Sequence, residues 1–513
     1  MSFISITFLA FLCLTFLAYF VVPLNFRWMV LLAASLVFYC SSGWINLLFV
    51  LATALIAYAV TRKMESIYAV QVDKSQAAQQ RKQAKHWLLA GVAGIVLMLV
   101  YCKVGNNVIG AVQNILALES LDISVLVPLG ISYYTFSIIG YMADVYWKKD
   151  QAEHHFLKLL LYMIYFPHIL QGPIARHKKL APQLADGHTF EYNRFCYGLQ
   201  RMVWGYFKKM VIADRFAVIT TTVFSSYGEY TGLIFVVAIL ASAIQLYCDF
   251  SGCMDISLGI SECMGIKLEE NFQRPFFSKS AAEFWRRWHI TLGAWFKDYV
   301  YMPLAISPVL IKLSQKTKDK FGKRFAKSLM TVIPLACVWL LTGVWHGTGW
   351  DYILWGCYWG GIIIVTNVFA PEIKQLTDKL HIDTTAPWWG WWQMVRTFLI
   401  FCGGRLLTAP GDLVITGEII QRMFAEFNIW ILFDGTLWSL GLDYPDLCVG
   451  ILAVALLWWV SLQQEKGIVM RDKVAALPIV LRWSVYYAGI FAILIFGMYG
   501  PGYEASSFVY MNY

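Results

Sequence analysis

The chain has 513 residues, and its composition excludes an ordinary soluble protein. Apolar and aromatic residues make up 59% of the chain and charged residues 14%, against roughly 25% charged residues in an average soluble protein. That much apolar surface requires lipid as its solvent, and a disordered chain would need the opposite composition. The net charge of +9 fits the cytoplasmic loops of a membrane protein. No basic stripe interleaved with aromatic residues indicates nucleic-acid binding.

Apolar runs recur along the whole chain and predict an all-helical, polytopic membrane protein. About eleven runs have the length of about 20 residues that a bilayer requires. They are Phe3–Val22, Ile45–Val60, Trp87–Val104, Leu126–Tyr146, Phe156–Leu170, Gly232–Tyr247, Ser328–Val344, Tyr352–Phe369, Met394–Leu407, Leu447–Leu462 and Ile479–Met498. Trp28–Tyr39 and Val414–Leu432 are predicted as re-entrant or tilted pieces. No soluble module interrupts the series, so we expect one integral membrane domain over residues 1–513.

Two short segments rich in Lys and Arg predict the orientation of the chain. Residues 62–85 and 312–327 each carry an excess of basic side chains, and short basic loops stay in the cytoplasm. A site for anionic lipid or an acidic partner is the alternative interpretation.

The segment Glu269–Pro303 is polar and aromatic at once and cannot be a simple lipid-facing helix. It contains several charges together with Pro275 and Pro303. Irregular polar backbone at membrane depth is tolerated only where it is buried in protein or lines a cavity. We therefore expect a cavity wall or a re-entrant region here.

Signatures of other enzyme classes are absent. The chain has no nucleophile elbow, no phosphate-binding glycine loop and no zinc-protease motif. Its eleven cysteines have no metal-ligand spacing and are expected to pack as small buried residues, so we expect no metal and no tightly bound cofactor.

Histidine is the informative residue type, with nine in the chain. Six of them fall in polar loops or at span ends, and His168 is either a helix-end side chain or part of a site. His289 closes the sequence Trp-Arg-Arg-Trp-His in the polar segment. His346 follows the basic segment by an apolar run of about 18 residues, or ~27 Å of helix. An ionisable group placed that deep in a membrane is costly and indicates function.

A buried neutral histidine without a serine or cysteine nucleophile suits direct acyl transfer from a thioester to a hydroxyl. The thioester is already activated, so the enzyme has to deprotonate the hydroxyl, orient both partners and stabilise the oxyanion. Imidazole titrates near neutral pH and can act as the base. A permease or channel with a histidine gate or proton relay is an alternative at this point.

Several motifs in fixed order resemble the membrane-bound O-acyltransferase (MBOAT) family. They are Gln245–Gly252, Glu270–Pro275, Glu283–Leu292 and Gly343–Gly347, and upstream Pro128–Ser132, Asp144–Tyr146, Phe166–Pro167 and Gln171–Pro173, which are similar to the bacterial branch. The signature core is residues 121–370, and C-terminal helices follow at residues 394–513. The resemblance implies a helical shell with re-entrant segments around a central tunnel, where a donor on one face meets an acceptor on the other.

The resemblance also implies roles for particular residues. His346 matches the catalytic histidine, and His289 lies beside the donor route as the second catalytic position. Donor or tunnel contacts are expected from Asp249, Asn271, Trp285, Arg286, Arg287, Trp288 and Trp345. The two arginines are expected to hold donor phosphates, with a structural ion pair as the alternative.

These implications lead to a functional hypothesis. The chain is expected in a bacterial inner membrane, moving an acetyl group from a cytoplasmic thioester, either acetyl-CoA or a carrier-protein phosphopantetheine, to an extracytoplasmic polysaccharide such as alginate. An extracytoplasmic esterase-like acetyltransferase is the expected partner, alongside membrane lipid. The length and the ending at residues 508–513 resemble the alginate type. D-alanyl transfer from a carrier protein to teichoic acid is the alternative.

Overall fold

A computed structural model describes residues 1–71, 73–116 and 125–499 of the chain. Within these ranges the protein is built from helices, and its only β-type pairing is an isolated bridge between Phe272 and Trp288. The all-helical prediction is confirmed. Residues 121–124 of the predicted core and residues 500–513 of the predicted C-terminal region lie outside the described residues. The described chain divides into two compact units, Met1–Met202 with Met254–Glu269, and Val203–Cys253 with Glu270–Tyr513.

The first unit is a set of packed helices. Its helices are Ile6–Val21, Arg27–Cys40, Asn46–Ala69, Lys74–Leu116, Ile131–Tyr146, Phe156–Ile164, Phe166–Ile169 and His177–Ala185, with a 3₁₀ turn at Leu24–Phe26. The predicted span Phe156–Leu170 is broken at Tyr165, whose backbone is extended. Pro167 lies in the first turn of the next helix, where its missing N–H leaves no hydrogen bond unmade.

The second unit contains most of the predicted functional segment. Its α-helices are Asp214–Ser225, Ala281–Arg287, Ile290–Phe296, Met302–Ala305, Pro308–His346, Trp350–Val368, Ala370–Lys379, Pro387–Thr408, Leu413–Ala425, Tyr444–Glu465, Met470–Ala475 and Ile479–Phe496. Phe207–Ala213 and Lys297–Tyr301 are π-helical. Tyr227–Glu229, Pro275–Phe277, Ile429–Leu432 and Thr436–Ser439 are 3₁₀ turns. The prediction that the Glu269–Pro303 segment is irregular is confirmed, because it consists of short helical pieces.

Two helices, Tyr192–Tyr206 and Leu233–Cys263, contribute residues to both units. The first continues directly into the π-helix Phe207–Ala213 and then into Asp214–Ser225. The sequence analysis predicted no helix over residues 192–225. Charged residues in this stretch, including Lys208 and Lys209, lower its mean hydropathy. Mean hydropathy takes no account of the ion pairs that allow such charges to be buried.

The number of spans differs from the prediction of about eleven. Six helices of the described residues are long and apolar enough to cross a membrane, or seven if the bent pair Trp350–Val368 and Ala370–Lys379 is one span. The other predicted spans are shorter or more polar. Ile6–Val21 has 16 residues, for example, and Phe156–Leu170 is divided in two. The chain is a multi-pass membrane protein.

The basic segment 312–327 is helical and does not form the predicted loop. It belongs to the helix Pro308–His346, which is broken at Gly322, where the backbone has φ of 84°. Only glycine adopts this conformation without strain. The apolar part of the helix then runs on without interruption to His346, as the sequence predicted.

Close packing of two helices positions the end of this long helix. A Cβ atom on Gly343 would lie 2.6 Å from the Tyr352 carbonyl oxygen, and one on Gly356 would lie 2.5 Å from the Trp339 carbonyl oxygen. These contacts leave no room for a side chain. The backbones of Pro308–His346 and Trp350–Val368 can therefore approach closely just before His346.

A buried cluster of charges joins the π-helix to the helix Leu233–Cys263. Lys209 Nζ lies 2.6 Å from Asp249 Oδ1 and 2.8 Å from Asp214 Oδ1. The Lys209 side chain is completely buried, and both carboxylates are nearly so. Because lipid and protein interior offer no water, each charge depends on the others for stabilisation.

We expect Lys209→Met to lower the free energy of unfolding by about 3–5 kcal/mol, because it leaves two buried carboxylates without their cation. Equilibrium unfolding in mixed micelles measures this change. The matched control is Lys179→Met, which breaks the exposed Lys179–Glu269 pair and should change stability by less than about 0.5 kcal/mol. Equal stability of the two variants would contradict a structural role for the buried cluster.

Candidate active site

A short paired segment holds His289 in place. Gln273 N donates to Arg287 O at 2.9 Å and Ile290 N donates to Asn271 O at 3.1 Å, on either side of the Phe272–Trp288 bridge. These bonds satisfy backbone groups where the helices Ala281–Arg287 and Ile290–Phe296 are separated. The pairing therefore fixes the backbone on both sides of His289.

His289 has an unusual backbone and an ordered side chain. Its φ of 48° is in the left-handed region, and its side chain is almost completely buried. Nδ1 lies 3.4 Å from Asn271 Oδ1, and the same oxygen accepts from Thr291 N and Thr291 Oγ1, both at 3.0 Å. Nε2 is buried and has no hydrogen-bond partner in the part of the chain that the structure describes. Asn271 thus orients the imidazole and leaves Nε2 for a ligand.

His346 is the last residue of the helix Pro308–His346 and is also buried. Its ring contacts Trp345 at 4.6 Å and Trp355 at 4.9 Å between ring centroids. The next residue must be small, because a Cβ atom on Gly347 would lie 2.2 Å from the Tyr352 ring. Aromatic rings therefore enclose His346, and its position follows from the end of the helix.

The structure brings the two predicted catalytic histidines together on one tryptophan. The Trp345 ring lies 6.2 Å from the His289 ring and 4.6 Å from the His346 ring. Phe250 packs edge-on against His289 at 4.9 Å. A shared aromatic wall of this kind excludes water, which strengthens electrostatic interactions with a reacting group.

His346 lines a small cavity of about 30 Å³. Its other lining residues are Leu246, Trp285, Trp288, Tyr352, Trp355, Phe401, Arg405 and Thr408. Trp285 and Trp288 were predicted as tunnel contacts, and the structure places both in this wall. Such a volume accommodates a group of about the size of one or two water molecules. None of the residues that line it is acidic.

The two predicted phosphate-binding arginines have different surroundings. Arg287 pairs with Glu283 at 2.8 Å and with Glu465 at 2.9 Å, and Arg274 also pairs with Glu465, at 2.7 Å. Arg287 therefore forms structural ion pairs, which was the alternative to phosphate binding. Arg286 is exposed and has no hydrogen bond or ion pair with another described residue.

Other candidates are not among the residues that line the cavity. Asp249 contacts Lys209 in the buried charge cluster and is not one of the cavity's lining residues. His168 is buried, with Nε2 3.1 Å from the Tyr162 carbonyl oxygen at the end of a helix, as its helix-end alternative described. His177, one of the six histidines assigned from the sequence to polar loops or span ends, is buried, with Nδ1 2.8 Å from Asp150 Oδ2.

The sequence analysis missed one charged residue of the cavity. Arg405 was not predicted to be a site residue, although it lies within the predicted span Met394–Leu407. An ionisable group in an apolar run was the signal that identified His346, and the same signal applies to Arg405.

The chain is similar to known membrane-bound acyltransferases. The chain matches the membrane-bound O-acyltransferase family model over residues 35–317. It is 31% identical to a probable alginate O-acetylase of Pseudomonas syringae pv. tomato, over 76% of this chain and 70% of that protein. It is 29% identical to a peptidoglycan O-acetyltransferase of Helicobacter pylori, over 72% and 70% of the two chains.

A relative with a different named activity matches a smaller part of the chain. Identity to a teichoic acid D-alanyltransferase of Bacillus subtilis is 31%, over 48% of this chain and 60% of that protein. The family match and the extent of the O-acetyltransferase relatives establish the enzyme class. The chain belongs to the membrane-bound O-acyltransferase family and is an O-acyltransferase.

Proposed function

We propose that this enzyme takes an acetyl group from a cytoplasmic thioester and supplies it for O-acetylation of an extracytoplasmic polysaccharide. The observation that carries the proposal is the position of His346 in a small aromatic cavity that has no acidic wall. The size of the cavity favours a short acyl group. The named activities of the O-acetylase relatives, which match about three quarters of the chain, support the same cargo.

The two histidines have separate tasks in this proposal. His346 accepts the proton of the acceptor hydroxyl as that oxygen attacks the thioester carbon, and then returns it to the leaving thiolate. His289 donates from Nδ1 to Asn271, so its unpaired Nε2 accepts a hydrogen bond from the donor. The amide N–H groups of a pantetheine arm are suitable partners for that nitrogen.

The donor and the location of the enzyme are also proposals. Acetyl-CoA or an acetylated carrier phosphopantetheine approaches from the cytoplasm, the side on which the basic segments 62–85 and 312–327 are expected. The exposed Arg286 would pair with the phosphates of this donor. The protein would lie in the cytoplasmic membrane of a bacterium, with an esterase-like acetyltransferase outside it as its partner.

D-alanyl transfer to teichoic acid is the second candidate, because two relatives have that named activity. The cavity disfavours this cargo on electrostatic grounds. A D-alanyl thioester carries an ammonium group, whereas the charged residue of the cavity wall is the cation Arg405. Like charges a few ångströms apart in a dry site repel by several kcal/mol.

Purified protein in proteoliposomes should transfer label from acetyl-CoA to polymannuronate oligosaccharides or peptidoglycan fragments, and should leave a carrier-bound D-alanine thioester intact. The measurement is radiolabel in the product together with release of free thiol. Transfer of D-alanine at a rate equal to or above that of acetyl would overturn the cargo assignment.

His346→Ala should lower the transfer rate by about 10²–10⁴-fold, because it removes the general base. Single-turnover kinetics with saturating labelled acetyl-CoA measure the effect. His381→Ala, at an exposed turn, is the control and should retain the wild-type rate. His289→Ala should instead raise the donor KM, so excess acetyl-CoA should restore part of its rate. A folded His346→Ala protein with a normal rate would rule out the base assignment.

Substituting the two adjacent arginines separates donor binding from structural support. Arg286→Ala should raise the donor KM several-fold and leave thermal stability unchanged, since this side chain is exposed. Arg287→Ala should lower the melting temperature, because Glu283 and Glu465 lose their cation. Thermal unfolding and initial rates on the same samples distinguish the two effects. If instead Arg286→Ala lowers the melting temperature and Arg287→Ala raises the donor KM, the two roles are reversed.

A further inference from the structure

A guanidinium without a carboxylate partner lies in the wall of the cavity that contains His346. Arg405 belongs to the helix Pro387–Thr408. Its Nε and Nη2 donate to Ser242 Oγ at 3.0 and 2.8 Å, and its Nη1 donates to Thr408 Oγ1 at 3.0 Å. Both acceptors are neutral hydroxyls. No ion pair among the described residues includes Arg405.

Several buried or half-buried cations of this unit are neutralised by carboxylates. Lys209 pairs with two aspartates, Arg215 pairs with Asp446 at 3.0 Å, and Arg287 pairs with two glutamates. An unneutralised cation inside a membrane protein carries a desolvation penalty that hydroxyl groups offset only in part. An anion that binds in the cavity during the reaction would offset this penalty and would explain why Arg405 lies there.

Hydrogen-bond donors remain available in the same wall. A guanidinium has five N–H groups, and three of those on Arg405 are used in the bonds to Ser242 and Thr408. Trp285 also lines the cavity, and its Nε1–H is buried without an acceptor among the described residues. A buried N–H without a partner is destabilising in the resting protein and requires an explanation. Two side chains that line the same cavity thus retain unused donors.

The dimensions of the cavity limit the anion that these donors can meet. A cavity of about 30 Å³ holds about two water molecules, since one water needs about 10–15 Å³ of such a cavity, and it is too small for a sugar acid or a nucleotide phosphate. A carbonyl oxygen of the acyl group does fit. That oxygen is neutral in the thioester and becomes negative only when the carbonyl carbon is attacked.

We propose that Arg405 and Trp285 form the oxyanion site of the acyl-transfer reaction, an inference that rests on the function proposed above. The hydroxyl oxygen of the acceptor forms a bond to the carbonyl carbon as its proton passes to the His346 imidazole. The carbonyl π pair moves to the oxygen, which the Arg405 and Trp285 N–H groups then bind. When the π bond re-forms, the C–S bond breaks and the thiolate takes the proton from the imidazolium. The products are an ester and a thiol.

Arg405→Gln tests the catalytic role directly in proteoliposomes with labelled acetyl-CoA and polymannuronate oligosaccharides. Loss of an oxyanion donor should lower kcat by about 10²–10³-fold, with the donor KM changed less than about threefold. Trp285→Phe keeps the ring and removes Nε1–H, so kcat should fall by about tenfold. Arg396→Gln on the same helix and the exposed Trp392→Phe are matched controls that should keep the wild-type kcat.

A binding experiment tests the same proposal without turnover. S-methylphosphonyl-pantetheine presents a tetrahedral anion at the position of the acetyl carbon, whereas S-acetonyl-pantetheine presents a neutral carbonyl. Tryptophan fluorescence should report binding of either compound near Trp285 and Trp288. Arg405→Gln should weaken phosphonate binding by about 10²-fold and change ketone binding by less than about threefold.

The outcomes separate this inference from the proposed function. If wild-type protein transfers no acetyl group, the proposed function fails, and phosphonate binding still decides the role of Arg405. The oxyanion assignment is overturned by an unchanged kcat in Arg405→Gln, by a defect confined to KM, or by equal loss of both pantetheine compounds. If Arg405→Gln does not fold, the same measurements on Arg405→Lys and Trp285→Phe test the proposal. It is rejected if both variants have a normal kcat and a normal affinity for the phosphonate.

Discussion

Backbone groups inside a membrane protein must find partners within the protein, and the site depends on how this chain meets that constraint. The segment around Asn271 pairs with the residues on either side of His289, at the interruption between two short helices. Without that pairing, the interruption would leave amide groups unsatisfied in a region without water. The same bonds hold His289 in its left-handed conformation and direct its side chain toward Trp345.

The sequence predicted the features that depend on average hydropathy. The apolar run ending at His346 is a continuous helix, and the irregular Glu269–Pro303 segment is present as expected. Features that depend on pairing were not predictable in this way. The helical stretch at residues 192–225 contains the buried Lys209, and one of its two carboxylate partners, Asp249, lies on a different helix. The break at Tyr165 depends on Pro167, a local effect that a hydropathy profile averages out.

The candidate site was also predictable from the sequence only in part. His346 and His289 were predicted from unusual positions and from motifs, and the structure brings both to Trp345. The sequence left the roles of Arg286 and Arg287 open, because adjacent residues on a helix point in different directions. Arg405 was overlooked since its neighbours in the cavity, His346 and Trp285, are distant in sequence. Only the packed structure shows that these three residues share one space.

In the π-helix Phe207–Ala213, the number of residues determines which side chains can meet. Asp214 N donates to the carbonyl oxygen of Lys209, a spacing of five residues that an α-helix does not use. This wider turn allows two side chains that are five positions apart to meet. In an ordinary α-helix the same two side chains would point to different faces. During evolution, a point substitution on the outer face of this turn is easily tolerated. The loss of one residue would instead rotate everything that follows and separate a cation from its anion, so this stretch should tolerate a changed side chain on its outer face better than a changed length.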